Sequence, residues 1–234
     1  MPRFLNQFII INGRSSETIP GLQVLSLPPI TKPEMRHNTD EIDGRAGDII
    51  TKLGFAAYDR TVGVLLHHNF DLEQVRRFFA ASGDICFSNE PEMLYTFEQI
   101  EEISFEKVGH FLTAEITLHV QPYKRGATEQ PLTFTASPAV VTNIGNETAG
   151  PTFAIAGSGT VEIQIDGSTA ITVDMTDGQI VIDSTEMEAS LNGILKNRKV
   201  TGSYENLWLT PGAHSIAWTG TVSSLTISNY SRWI

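Results

Sequence analysis

Gly44-Arg45-Ala46-Gly47-Asp48, inside "EIDGRAGDII" (41–50), sets two glycines around a cation, the raw material of a phosphate cradle. Backbone N–H groups in such a turn can wrap an anion, and a lysine commonly completes the cage. No lysine follows Gly47; Asp48 does, and its carboxylate would repel phosphate. The spacing therefore predicts a turn whose glycines supply positive φ or a close backbone approach. Arg45 and Asp48 can then pair within that turn.

The other residues that could do chemistry are scattered. "NEPEMLYTFEQIEEISFE" carries Glu90, Glu92, Glu98, Glu101, Glu102 and Glu106, and glycosidases work with paired carboxylates. Nothing in the spacing sets two of them across a cleft, and a solvated acidic face accounts for the run. His67 and His68 are adjacent on a predicted strand and so point opposite ways, unlike the two histidines one helical turn apart of a zinc protease. Ser158 has glycines directly beside it, not at the spacing of a nucleophile elbow. "DMTDG" (174–178) begins like a calcium loop but lacks the closing glutamate. Cys86, the single cysteine, sits in "DICFSN" and reads as a small buried apolar position. Trp208, Trp218 and Trp233 all fall in the second half. Trp218 shares a face with Ile216 and is assigned to the core. Trp208 and Trp233 are the candidates for stacking on a sugar ring. No catalytic constellation, metal set or cofactor motif is expected.

These residues need elements to hold them. "FIIING" (8–13) reads as a strand closed by a turn pair, and "TVGVLLHH" (61–68) alternates Val62, Val64 and Leu66 on one face. One helix is expected over 71–82, where Asp71 and Gln74 form a D-x-x-Q start and Gly83 supplies the stop. "FLTAEITLHVQPY" alternates from Leu112 to Val120, with Pro122 as its expected end. The alternation that begins at Leu22 and Val24 is stopped by Pro28-Pro29 and Pro33. Residues 1–125 thus read as mixed α/β, and "KRGATEQP" (124–131) as the linker.

Beyond it no helical period survives. Val161, Ile163 and Ile165 alternate with polar residues, Asp166-Gly167 turns the chain, and Ile171, Val173 and Met175 return it. "AGSGTV" (156–161) is expected to be a tight bend between strands. Repeated short strands of this kind indicate an antiparallel sandwich of jelly-roll type.

The chain has 234 residues and a formal net charge of −11, with no basic run. That argues against specific nucleic-acid binding, which needs clustered cations, and against an anionic membrane surface. The apolar core of "MPRFLNQFIIING" is too short for a signal peptide. With one cysteine, synthesis in a reducing cytoplasm is expected.

The segments together resemble the distal tail (Dit) proteins of long, non-contractile-tailed bacteriophages. The likeness rests on Gly44-Arg45-Ala46-Gly47-Asp48 before a strand, on "LEQVRRFFAASGDICFSNEPEMLYTF" (72–97) and on "HVQPYKR" (119–125). It continues through "VVTNIGNETAGPTFAIAGSGTVEIQIDG" (140–167) and "LWLTPGAHSIAWTGTVSSLTI" (207–227). The resemblance implies a mainly β protein: an N-terminal β-rich, ring-forming domain with one α-helix (1–126) and a C-terminal galectin-like antiparallel β-sandwich (127–234). It implies a non-enzymatic virion protein without cofactor, at the distal end of the phage tail and assembled in the host bacterial cytoplasm. Six copies would close into a homohexameric ring with the tail tube protein above and the tail-associated tip protein below. The tape-measure protein, and DNA in passage, would lie near its lumen, and a receptor-binding protein is a further possible neighbour. Gly44, Arg45, Gly47 and Asp48 would then serve a ring interface or its turn. The alternative from another class is a carbohydrate-binding protein that uses the sandwich, through Trp208 or Trp233, on a cell-wall polymer. Larger members of the family carry inserted sugar-binding modules, for which this chain leaves no room.

Overall fold

The computed structural model describes residues 7–44, 46–80, 82–100 and 103–234. The chain divides into two compact units, Met1–Ala127 with Ile234, and Thr128–Trp233.

In the first unit, alternation at period two lays down a sheet with one apolar face. Its strands are β1 (Ile9–Ile11), β2 (Arg14–Ser15), β3 (Leu22–Ser26), β6 (Tyr58–Leu66), β7 (Gly83–Phe87), β8 (Met93–Ile100) and β10 (Phe111–Gly126), in the order β2-β1-β7-β8-β10-β6-β3. The short β9 (Glu106–Val108) pairs with the start of β10. Between β3 and β6 rises a separate two-stranded ribbon, β4 (Met35–Asp40) and β5 (Ile49–Phe55). Val62, Val64 and Leu66 of β6 face inward with Ala114, Ile116, Leu118 and Val120 of β10. Each fully buried side chain of this size contributes about 1.5–3 kcal/mol.

Helix α1 (Leu72–Phe79) covers the core with Val75, Phe78 and Phe79. Asp71 starts it, its carboxylate accepting from the N–H of Glu73 and of Gln74. The expected cap is present, but the helix ends at Phe79, short of 82, with Ala80 as its cap.

Other expectations are corrected. β10 does not stop at Pro122 but continues to Gly126, with its register against β8 shifting between Val120 and Lys124. The irregularity removes the need for an N–H at the proline. Lys124 and Arg125, expected in a linker, therefore belong to a strand, and Lys124 is buried. β6 ends at Leu66, so His67 and His68 are not on a strand; their rings meet edge to face, with centroids 5.9 Å apart, rather than pointing opposite ways.

The second unit is antiparallel throughout its described ladders. Its strands are β11 (Leu132–Phe134), β12 (Ala139–Asn143), β13 (Thr152–Ile165), β14 (Ser168–Asp174), β15 (Gln179–Asp183), β16 (Glu188–Leu191), β17 (Ile194–Leu195), β18 (Val200–Gly202) and β19 (Gly212–Ser228). The path β11-β19-β13-β15-β16-β17 is branched by β12 on β19 and by β14 on β13, with β18 in turn on β14. Val161, Ile163, Ile165, Ile171, Val173 and Met175 are all in the core, as their alternation predicts. "AGSGTV" is not a bend between two strands. It lies inside β13, where the pairing with β19 slips at Ala156/Gly157 and again at Ser158/Glu162. Two bulges let one long strand bend without ending. Trp218 is half-buried against the core.

Candidate assembly site

The β4–β5 ribbon forms its own two-stranded sheet, in which residues 36–40 and 50–53 are exposed. β3 and β6 are themselves neighbours, Leu22 opposite Leu66 and Val24 opposite Val64. A short turn would join them, so the excursion from 27 to 57 serves something other than connection. Within the ribbon, Asp40 pairs with Ile49, Thr39 with Ile50, Asn38 with Thr51 and His37 with Lys52. Ile50 is 61 % exposed, and Ile42 and Leu53 are exposed as well. A lone two-stranded ribbon is at best marginally stable in water. Apolar side chains are left open along it.

At the tip, Gly44 and Gly47 have φ of 82° and 80°, and a Cβ at either would meet nothing. They are there for backbone conformation, not for close approach. Asp48 is exposed; Arg45, and so its expected pairing with Asp48, lies outside the described residues.

The stem is built differently. Pro28 and Pro33 are buried. Ala56 donates its N–H to the Glu34 carbonyl, the Phe55 ring meets Tyr123 edge-on at 6.1 Å, and the Lys32 ammonium lies 5.4 Å from the Phe55 centroid. Two side chains tie the proline pair to the sheet: Arg60 Nη2 donates to the Pro29 carbonyl at 2.9 Å and Asn89 Nδ2 to the Pro28 carbonyl at 2.9 Å.

Behind the stem lies a buried ionic cluster. Glu90 accepts from Lys124 Nζ at 2.8 Å and from the Tyr95 hydroxyl. Burial, then the hydrogen bond to Glu90, hold the Tyr95 phenol well above its usual range. The Arg60 guanidinium is packed 4.8 Å from the Phe87 ring centroid and 4.4 Å from that of Tyr95. Cys86 is buried, and burial, then the Glu90 charge, push its thiol up, away from the reactive thiolate.

The expected solvated acidic face is thus corrected at Glu90, which is an ion-paired group of the core; Glu92, Glu98 and Glu106 are exposed, and Glu101 and Glu102 lie outside the described residues. Spacing missed Arg60 and Lys124, though a signal was present. Each falls on the inward phase of its strand, Arg60 before Val62, Val64 and Leu66, and Lys124 after Leu118 and Val120.

A second surface feature of the same unit is an open groove of about 550 Å3 over β3, β6, β10 and the start of β9. Leu25, Ser26, Thr113, Glu106 and Glu115 line it. The groove presents carboxylates, whereas the ribbon stem presents Arg36 and Lys52. No group of three or more potential metal ligands is present among the described residues, and none of the described helices is long and apolar enough to cross a membrane.

No protein-family model matches the sequence, and no curated protein matches it. Solved structures do match. The Dit protein (gp 19.1) of phage SPP1, described as a paradigm of the hub adsorption apparatus in phages that infect Gram-positive bacteria, is similar over 97 % of this chain and 99 % of its own. Identity is 18 % and the TM-score 0.67. A chain of the phage P2 baseplate, in its activated conformation with calcium, is similar over 98 % of this chain and 99 % of its own, at 7 % identity and a TM-score of 0.51. The chain has a Dit-like fold.

In this Dit-like chain the sugar-stacking candidates are placed as follows. Trp208 keeps 38 % of its surface exposed but donates its indole N–H to the Ser184 carbonyl at 3.0 Å. The donor a sugar hydroxyl would use is therefore already spent. Trp233 is half-buried.

Proposed function

We propose that this protein is a structural hub of a phage tail, without catalytic activity, six copies of which close into a ring at the distal end of the tail tube. The observation that carries the reading is the β4–β5 ribbon, an uncovered two-stranded arm on a Dit-like fold. A closed ring needs the same head-to-tail contact repeated at every boundary, so each copy must offer two different, complementary surfaces. The arm is one and the acidic groove is the other. Lys52 and Ile50, which share one face of the ribbon with His37 and Thr39, meet Glu106, Glu115 and Leu25 of the next copy. The ring joins the tail tube to the tip protein, with the tape-measure protein near its lumen, and its place is in the virion. The 1–126 division supplies the ring and the 127–234 sandwich its periphery.

Mass by light scattering over a concentration series, with negative-stain imaging of large species, tests this directly. Closed rings with a central hole are expected. Glu106→Lys with Glu115→Lys is expected to leave monomers, and adding Lys52→Glu to bring rings back. Monomers at every concentration, with and without a tail-tip partner, would overturn the reading. Capture by purified cell-wall glycan, lost on Trp208→Ala, would then favour the carbohydrate-binding alternative.

A further inference from the structure

We propose that Arg60 is a positioning residue that locks the root of the arm, and that the buried charge it brings is kept for this task rather than for the stability of the sheet. The cluster behind the stem holds two cations, Arg60 and Lys124, against one carboxylate, Glu90. Lys124 takes the good geometry at 2.8 Å, while Arg60 Nη1 stands 4.0 Å from Glu90, outside hydrogen-bond reach. Arg60 is 2 % exposed, yet its Nε and Nη1 are buried with no hydrogen-bond partner. The Tyr58 hydroxyl lies beside the guanidinium, also buried, without the geometry of a hydrogen bond. Buried donors left open are costly, and replacing a buried ion by an apolar side chain of similar volume is often neutral or stabilising. A methionine at 60 would fill the space between Phe87 and Tyr95 and leave Glu90 and Lys124 as a balanced pair.

What methionine cannot do is donate to the Pro29 carbonyl. Pro28, Pro29 and Pro33 have no N–H, so the rising segment cannot be zipped to the body by a backbone ladder. Side-chain donors take over, Arg60 from the buried side and Asn89 from the "S-N-E-P" turn. Rigidity at this point matters because error grows with length. The six residues of β4 reach roughly 20 Å at about 3.3 Å per residue, so a tilt of about 10° at the root carries the tip roughly 3 Å. That exceeds what a hydrogen-bonded contact tolerates.

The last link, from arm angle to ring, rests on the hub reading; the lock itself does not, and its test is made on protein diluted until light scattering gives the monomer mass. Nitroxides at Asp48→Cys on the tip and Glu73→Cys on α1 report the spread of tip-to-body distances, the buried Cys86 being protected from labelling. The distribution is expected to be narrow in the parent. In Arg60→Met it is expected to widen by about the ~3 Å tip displacement, with the urea midpoint of the full chain retained. Asn89→Ala, which removes the other tie and leaves every buried charge in place, is expected to widen it as well. Unchanged width in Arg60→Met overturns the proposal. Should Arg60→Met fail to fold, Arg60→Leu takes its place, and a parent-like width there overturns it. Rings absent from the parent while both variants widen the distribution would remove the hub reading and leave the lock standing.

Discussion

At His214 one imidazole touches two turns. Its Nδ1 lies 2.7 Å from Asp166 Oδ2 at the β13–β14 turn, and its Nε2 lies 2.8 Å from the Thr210 carbonyl before β19. Both partners accept, so the ring suits both when it carries two protons. Burial pulls the imidazole down, but the Asp166 carboxylate and the Thr210 carbonyl outweigh it and hold the group above its ordinary 6.5. The His214 hydrogen bond and then the Ser215 N–H hold Asp166 below its ordinary 3.8. The raised histidine contributes stability below pH 6.5 that is lost as pH rises through its folded value; the lowered aspartate contributes stability above 3.8 that is lost as pH falls through its own. Urea midpoints measured against pH are therefore expected to decline on both sides of that window, and Asp166→Asn to flatten the alkaline decline. Glycine positions separate just as cleanly. Gly44→Ala meets open space and carries only the strain of positive φ, about 1 kcal/mol. A Cβ at Gly220, with φ of 87°, would sit 2.3 Å from the Thr160 carbonyl oxygen, so Gly220→Ala is expected to lower the melting temperature far more.

The elements that could be read from sequence were those with one wet face and one dry face. β6, β10, β13 and β14 alternate because water lies on one side only, and their inward residues were foreseeable one by one. α1 was readable at its start, because an aspartate cap is a local event; Asp71→Ala is expected to cost about 1 kcal/mol by denaturant titration. Of the ribbon, a strand after Asp48 was expected and is β5, but β4 was not read. "MRHNTD" has no apolar phase because both of its faces are exposed, and an alternation needs a core to write it. β10 was cut too soon at Pro122 because a bulge that excuses a proline depends on the partner strand β8, which no local pattern records. Arg60, Glu90 and Lys124 escaped for the same reason: each finds its partner across the sheet rather than along the chain.

At the scale of the molecule, two apolar cores stand in sequence, one ending at Val120 and the other beginning at Val141, and among the described residues no side chain belongs to both. Residues 128–234 expressed alone are therefore expected to unfold in a single cooperative transition, checked by calorimetry. The sandwich was the more legible half in its hairpins, whose turns are recognisable, Asp166-Gly167 among them; its order was not, because β19 pairs with the distant β11, β12 and β13. The likeness to tail proteins was legible only as an order of weak motifs spread over the chain.

The pairing of β3 with β6 has one more consequence. Because the arm leaves and re-enters the body between two strands already joined side by side, its length is a dial that the core does not feel. Two residues added to each ribbon strand push the tip outward by about 7 Å and leave every side chain on its present face. One residue added to each also preserves the pairing but turns the tip over, presenting the opposite set of side chains to whatever lies beyond. Related chains can thus tune the reach of a shared body in steps of two, with odd steps acting as a reversal of the tip.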